Sequence, residues 1–140
     1  MKKRERYIMN ETIKALMENL AGRNIASKYF SHLYEAKNEI LKTIHKEATV
    51  GIGNSQTLKE MGISYALDAR GNTVYDKNMA QTKEEANELK KKSLLTDWYI
   101  TGTNAISMQG HIVNIDHSGN RVAAMSYGPD KVIIVVGKTK

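Results

Sequence analysis

The 140-residue sequence predicts an α/β protein in which helices flank both faces of a mostly parallel, mixed sheet. Short apolar runs such as "ATVGIG" (48–53) alternate with longer segments of helical spacing, which is typical of parallel strands joined by helical crossovers. The run "VIIVV" (132–136) lacks apolar–polar alternation, so we expect a strand covered on both faces. The length suits a single domain, 1–140, with one core. We therefore expect a three-layer, Rossmann-like sandwich with a C-terminal β-hairpin.

The N-terminal half predicts three helices and two strands. An apolar stripe at helical spacing predicts a first helix over residues 4–20, within an N-terminal segment 1–23, and Gly22 is expected to end it. A short strand is expected around Ser27–Phe30, and "YEAKNEILKTIHK" (34–46) returns to helical spacing. After the strand "ATVGIG", the segment "SQTLKEMG" (55–62) predicts a short helix that Gly62 closes.

The C-terminal half predicts one further helix and several strands. The segment "ISYALDARGNTVYD" (63–76) carries a weaker strand pattern that the turn "RGN" interrupts. Thr82 and Glu85 form a capping-box pattern, which predicts a helix through "ANELKKKSLL" (86–95). The remaining segments predict four strands: "DWYIT" (97–101), "HIVNI" (111–115), "RVAAM" (121–125) and "KVIIVV" (131–136). The segment "DHSGN" is expected to be the hairpin turn that joins "HIVNI" to "RVAAM".

The charge of the chain favours small anions over nucleic acid. The formal net charge is +6, from 21 basic and 15 acidic residues. The basic residues cluster in "KKRER" (2–6) and in Lys90–Lys92 without interleaved aromatic side chains, so we expect no nucleic-acid platform. Long-range attraction still favours anionic ligands.

Residue types missing from the chain exclude several kinds of site. There is no cysteine, which excludes disulfides and thiolate chemistry and fits a cytoplasmic protein. No apolar run approaches the roughly 18 residues of a membrane span, so we expect no membrane partner. The four histidines lack metal-ligand spacing, and no Ser/His/Asp set stands out, so we predict no metal and leave the catalytic residues unknown.

A glycine-rich loop follows the first strong strand and is the first candidate site. Glycines there let backbone amides approach a ligand, and hydroxyl groups add donors; the candidate residues are Gly51, Gly53, Asn54, Ser55 and Thr57. A tight turn with Asn54 or Ser55 as a helix cap explains the same pattern. The two interpretations differ over whether the hydroxyls of Ser55 and Thr57 face a cleft or are both buried as caps.

Two further polar segments are expected near that loop, because ligands of open α/β sheets collect beyond the carboxyl ends of the strands. In "TGTNAI" (101–106), Thr103 and Asn104 directly follow a predicted strand. In "NIDHSGNRV" (114–122), Asp116, Asn120 and Arg121 could bind polar groups, with Arg121 gripping a carboxylate or phosphate through two hydrogen bonds. For both segments the alternative is a turn that bonds its own backbone.

Taken together, these segments resemble a known family. The stretches "VGIGNSQTLKEMGI" (50–63) and "TGTNAISMQGHIVNIDHSGNRVAAMSYGPDKVIIVVG" (101–137), and their separation, are similar to the LUD family of lactate-utilisation proteins, over residues 36–140. The resemblance implies the fold shared by ribose-phosphate isomerases, CoA-transferases and formyltetrahydrofolate cyclo-ligases, several of which bind an anion at the loop after this strand. It also implies L-lactate oxidation to pyruvate beside subunits that carry iron–sulfur clusters, with none expected in this chain.

The sequence departs from the family pattern at two points. Asn54 stands where glycine is common, and asparagine tolerates a left-handed backbone nearly as well. Thr139 replaces an asparagine, and the helix or cysteine-rich tail of many relatives does not follow. The possibility that the chain is trimmed at its C-terminus therefore stays open.

The leading hypothesis is that this protein is an accessory or regulatory subunit that binds a small anionic metabolite. The possibility that it forms a homodimer also stays open. The alternatives are a stand-alone enzyme acting on a phosphorylated sugar, folate or acyl-CoA, and a binding module without a metabolic role.

Overall fold

The structure is a computed structural model that describes residues 2–137, and the side chains of residues 11–137. Thr139 therefore lies outside the described residues. The helices are α1 (Lys2–Ala21), α2 (Leu33–Thr43), α3 (Gln56–Met61), α4 (Ile63–Ala69), α5 (Lys83–Lys92) and α6 (Asn120–Ser126). The strands are β1 (Thr49–Ile52), β2 (Thr73–Asp76), β3 (Trp98–Thr101), β4 (Ala105–Ile106), β5 (Ile112–Val113) and β6 (Lys131–Ile134). None of the described helices is both long and apolar enough to cross a membrane.

Four strands form one parallel sheet in the order β2-β1-β3-β6. The chain runs from β1 outward to β2 through α3 and α4, and then returns past β1 to β3 through α5. Because such crossovers are right-handed, helices on these two paths cover opposite faces of the sheet. The predicted three-layer α/β class is confirmed. The antiparallel pair, β4 with β5, forms a separate two-stranded sheet.

The main core lies between one face of this sheet and the helices α2, α3 and α4. Val50 and Ile100 project from the sheet and are fully buried. Their helical partners in the same cluster are Ile40, Ile44, Leu58, Met61, Ile63 and Leu67. Burial of each such side chain contributes roughly 1.5–3 kcal/mol. The apolar spacing of α2 and α3 was therefore a sound predictor, since both helices bury the face that the spacing selects.

The caps of two helices agree with the sequence predictions. Gly62, with φ of 68°, ends α3 in the left-handed conformation that favours glycine. At the start of α5, the Thr82 hydroxyl accepts a hydrogen bond from the Glu85 amide at 3.1 Å. The Glu85 carboxylate accepts one from the amide of Gln81, one residue before the cap. After α1, however, the left-handed residue is Asn24 and not Gly22.

Two segments predicted as strands are helices. The segment "ISYALDA" (63–69) forms α4. Its buried residues are Ile63, Ser64 and Leu67, and these spacings of one and three residues fall on one face of a helix but on both faces of a strand. The segment "RVAAM" (121–125) belongs to α6, which begins after Gly119 (φ 76°), so the predicted hairpin at "DHSGN" is wrong. The hairpin of this region joins β4 to β5 instead.

Two further strand predictions need correction. Residues 27–30 are not a strand; they lie in an irregular connection between α1 and α2. The run "VIIVV" does contain β6, but β6 is an edge strand and its apolar residues are only half-buried. Apolar composition alone could not show this, because an edge strand and a central strand can have the same residue types and differ only in their neighbours.

Candidate functional site

The strand order creates a crevice at the carboxyl ends of β1 and β3. The connections that leave these two neighbouring strands cover opposite faces, which is the usual ligand position in open α/β sheets. The loop after β1 and the loop after β3 are in contact there, since a Cβ atom on Gly102 would lie 2.8 Å from the Ser55 hydroxyl. The Gly53 amide also donates to the Ile100 carbonyl at 2.8 Å.

The two glycines of this region permit close packing across the sheet. A Cβ on Gly51 would lie 2.8 Å from the Ser93 Cβ, on the face that α5 covers. A Cβ on Gly53 would lie 2.8 Å from the Thr101 Cβ and 2.9 Å from the Tyr99 hydroxyl oxygen. Both glycines are therefore explained by close packing, and Gly53 also lies beside the Tyr99 hydroxyl.

The polar residues of the first loop divide between the two interpretations. Ser55 is buried and accepts a hydrogen bond from the Leu58 amide at 3.3 Å, so it is the N-cap of α3. Thr57 is half-buried in the first turn of α3 and caps no helix, and Asn54 is exposed. Because α3 has only six residues, its end supplies little dipole to a ligand.

A cavity of about 300 Å³ opens beside this loop, between β1, α3, α4 and the end of β2. Gly53 and Ser55 line it, together with Lys59 from α3. Ser64 and Asp76 also line it, and both are buried. Sequence patterns did not indicate these last two, because they lie in the segment predicted as weak strands.

Ser64 and Asp76 form a polar pair in the wall of the cavity. The Ser64 hydroxyl donates to one carboxylate oxygen of Asp76 at 2.6 Å. The other oxygen accepts from the Asn78 amide at 2.9 Å, just after β2 ends. Each carboxylate oxygen keeps a free lone-pair direction, since a carboxylate offers about four acceptor sites. The cavity therefore presents a hydrogen-bond acceptor as well as the Lys59 ammonium.

The other predicted residues form a hydrogen-bonded network next to β3. Arg121 donates from Nε to Asp116 at 2.8 Å, in an ion pair whose side chains are only 13% and 8% exposed. Arg121 also donates from Nη2 to the Asn104 side chain and, at 3.3 Å, to the Ile115 carbonyl. The second Asp116 oxygen accepts from the Val122 amide at 2.6 Å. The Nε–Nη2 edge of Arg121, which would grip a carboxylate, is thus already occupied.

Thr103 and Asn120 also bond within the protein. The Thr103 hydroxyl is buried and lies 3.0 Å from the Val113 carbonyl and 2.8 Å from the Asn114 side-chain oxygen. The side chain of Asn120 accepts from the Ser118 hydroxyl at 2.9 Å. Both contacts tie the connection between β3 and α6 together.

Tyr99 brings a polar group to this crevice that sequence patterns did not indicate. Its side chain is only 1% exposed and projects from β3 toward Gly53. Burial raises the pKa of Tyr99 to about 12; the negative charges of Asp116 and Asp76 add to this, and Arg121 opposes it. Its hydroxyl therefore stays protonated across the neutral range.

The match to a family model spans nearly the whole chain: the model described as the LUD domain matches residues 13–140. The chain belongs to the LUD domain family. No curated protein and no solved structure matches it. The resemblance carried by the motifs around Asn104 and Arg121 is confirmed, because the matched region includes both.

This LUD domain brings its predicted site residues into two groups. Gly53 and Ser55 line the cavity, whereas Asn104, Asp116 and Arg121 form the network beside it. Within the part of the chain whose side chains are described, no three histidine or acidic side chains come together as a metal site would require. The arrangement supports binding of a small polar molecule through Lys59, Asp76 and the loop after β1.

Proposed function

We propose that this LUD domain is an accessory or regulatory subunit of L-lactate oxidation to pyruvate, and that it binds a small anionic metabolite in the cavity beside Gly53 and Ser55. The metabolic role rests on family membership over residues 13–140. The observation that carries the binding proposal is the cavity itself, which lies at the carboxyl end of β1 and is lined by the predicted loop.

The size of the cavity and the Lys59 ammonium support a small acid as the ligand, and the buried Asp76 carboxylate is the opposing charge in the same wall. A cavity of about 300 Å³ is at the lower end of the usual range for ligand sites. Lys59 lines it, and no ion pair holds Lys59 within the described part of the chain. Lys77, just after β2, adds positive charge; desolvation is the largest cause of its lowered pKa, followed by the nearby charges of Lys90 and Lys59.

The oxidation chemistry itself is assigned to partner subunits. This chain has no cysteine and supplies no thiolate to an iron–sulfur cluster, so we propose that clusters and electron transfer belong to iron–sulfur partners in the cytoplasm. Co-expression with such subunits and size-exclusion chromatography should give a complex of defined stoichiometry. A homodimer that does not combine with them would contradict the accessory role.

Thermal-shift measurements test the binding proposal. L-lactate and pyruvate should raise the melting temperature, because a bound ligand adds RT ln(1 + [L]/Kd) to the free energy of unfolding, which grows with the logarithm of ligand concentration once that exceeds Kd. Sugar phosphates, nucleotides and CoA complete the panel. Lys59→Ala should weaken the effect, whereas Lys91→Ala, on the exposed side of α5, should leave it intact. Equal shifts in both variants would remove Lys59 from the site.

A stand-alone enzyme is the second candidate, and the Ser64–Asp76 pair favours it. A buried carboxylate in the wall of a cavity could act as a general base or nucleophile, which the sequence alone did not indicate. If this is correct, a sugar phosphate, folate or acyl-CoA should be turned over by the isolated protein, and Asp76→Asn should abolish turnover while binding persists. Binding of lactate or pyruvate without turnover of any compound would leave the accessory subunit as the better account.

A further inference from the structure

Asp76 holds a carboxylate in the wall of the 300 Å³ cavity. It is paired in parallel register with Ile52, which also lines the cavity. Side chains of paired residues in neighbouring strands project to the same face of a sheet, so Asp76 points to the face on which the cavity lies. The Ser64 hydroxyl donates to one of its oxygens at 2.6 Å and the Asn78 amide to the other at 2.9 Å. These two bonds fix the carboxylate in place.

A carboxylate selects the ligand group that lies against it. It only accepts hydrogen bonds, and of its roughly four acceptor sites Ser64 and Asn78 use two. The remaining sites favour a hydroxyl or an ammonium group, which donates, and repel a carbonyl oxygen, which only accepts. A ligand that covers this buried acceptor without giving it a donor therefore binds more weakly.

The rest of the lining fits the other parts of a short hydroxy acid. Lys59 offers an ammonium to a carboxylate, and Leu58 and Met79 offer apolar surface to an alkyl group. Of the described residues that line the cavity, only Lys59 and Asp76 are charged. Lys77 follows Asp76 in the chain, interacts electrostatically with Lys59 and adds a second positive charge. The net positive charge favours an anion over a zwitterion such as an amino acid.

We propose that Asp76 is a specificity-determining residue of this cavity, and that it selects short-chain 2-hydroxy acids over 2-oxo acids by accepting a hydrogen bond from the 2-hydroxyl group. This rests on the proposed function, because it names the class of acid that the same cavity binds. The ligand carboxylate then lies at Lys59 and its alkyl group against Leu58 and Met79. An accessory subunit with this preference responds to the substrate, L-lactate, and not to the product, pyruvate.

Titration calorimetry on the wild-type protein compares acids that differ at the second carbon. L-lactate should bind at least about tenfold more tightly than pyruvate, which presents an acceptor there, or propionate, which presents neither a donor nor an acceptor. L-alanine carries an ammonium in place of the hydroxyl and should also bind more weakly than L-lactate, because it has no net charge. This comparison needs no variant of the protein.

Asp76→Asn keeps the shape of the side chain and adds a hydrogen-bond donor. An amide can serve a hydroxyl or a carbonyl group, so the ratio of the L-lactate and pyruvate affinities should fall to within about threefold. Both affinities are measured on one preparation, so any loss of folded protein cancels in the ratio. Asp68→Asn, at an exposed side chain of α4, is the matched control and should keep the wild-type ratio.

Three outcomes would overturn the inference. Equal affinities of the wild type for L-lactate and pyruvate, or a tenfold preference that survives Asp76→Asn, would show that Asp76 does not select the ligand, while the proposed function would stand. Tighter binding of L-alanine than of L-lactate would show that Asp76 pairs with an ammonium group. Failure of both L-lactate and pyruvate to bind the wild type would remove the proposed function, and this specificity with it.

Discussion

Replacing Arg121 by alanine should destabilise the protein severely, because it leaves a buried charge unpaired. The carboxylate of Asp116 is 8% exposed and would keep only the Val122 amide as a partner. Removing one member of a buried ion pair costs about 3–5 kcal/mol. Since domains of this kind have roughly 5–15 kcal/mol of total stability, the variant should lose about a fifth of it or more.

Urea unfolding followed by circular dichroism measures this loss as a lower midpoint at unchanged slope. The double variant Asp116→Ala with Arg121→Ala should be more stable than Arg121→Ala alone, since it contains no buried unpaired charge. Glu88→Gln is the control: its pair with Lys92 lies on the surface of α5 and is worth about 0.3–0.5 kcal/mol. A loss below about 1 kcal/mol in Arg121→Ala would refute the reasoning, because the pair would then behave like the surface one.

Three further predictions concern the residues around the crevice. Gly53→Ala should lower the free energy of unfolding by about 1–3 kcal/mol, because the new Cβ has no room. Gly22→Ala should not lower it, because a Cβ there would lie 3.5 Å from its nearest neighbour, and urea unfolding compares the two variants. Ser55→Ala should remove the cap of α3 and about 1 kcal/mol, while Thr57→Ala should change stability less in the same assay. The pKa of Tyr99 is about 12 in the folded chain and about 10 in the unfolded chain, so its contribution to the free energy of unfolding is fully present below pH 10 and is lost as pH rises toward 12. The loss of stability reaches about 1.4 kcal/mol at pH 11, and this part of the pH dependence should vanish in Tyr99→Phe.

Elements that carry their own boundary signals were predictable from the sequence. The helix α5 begins at the Thr82 cap, and α3 ends at Gly62, where only a left-handed residue fits. The strands β1 and β3 follow from short apolar runs between such signals. Local sequence suffices in these cases because the cap or turn residue acts within a few positions of the structure that it fixes.

The helices α4 and α6 were missed because tertiary contacts decide them. Tyr65 in α4 is β-favouring and 72% exposed, whereas Ile63 and Leu67 are fully buried, so packing against the sheet selects the helix. In α6, Ala124 is buried while Val122 remains exposed, a pattern compatible with either state in so short a segment. A short apolar segment does not by itself determine whether its buried residues repeat with the helical or the strand period.

The meeting of the loops after β1 and β3 was predictable, but the contacts that their residues make were not. Polar residues after β1 and β3 had to meet, because parallel strands end at one edge of the sheet. Which of them bond to each other depends on side-chain directions across the loops, and Arg121 turns its donor edge to Asp116 and Asn104. Asp76 and Tyr99 became visible only through the fold, since neither an aspartate at the end of a strand nor a tyrosine within one has a local signature.

The loop after β1 shows why a glycine pattern alone could not decide between a turn and an anion site. Ser55 is a cap and also lines the cavity, so the two interpretations do not exclude each other. Gly51 is required by contact with Ser93, and any protein of this fold with close packing there would need it. Gly53 is required by contact with Thr101 and with the Tyr99 hydroxyl, and it also lines the cavity. Gly53 therefore serves close packing and the cavity at once, so the glycine pattern alone favours neither the turn nor the anion site.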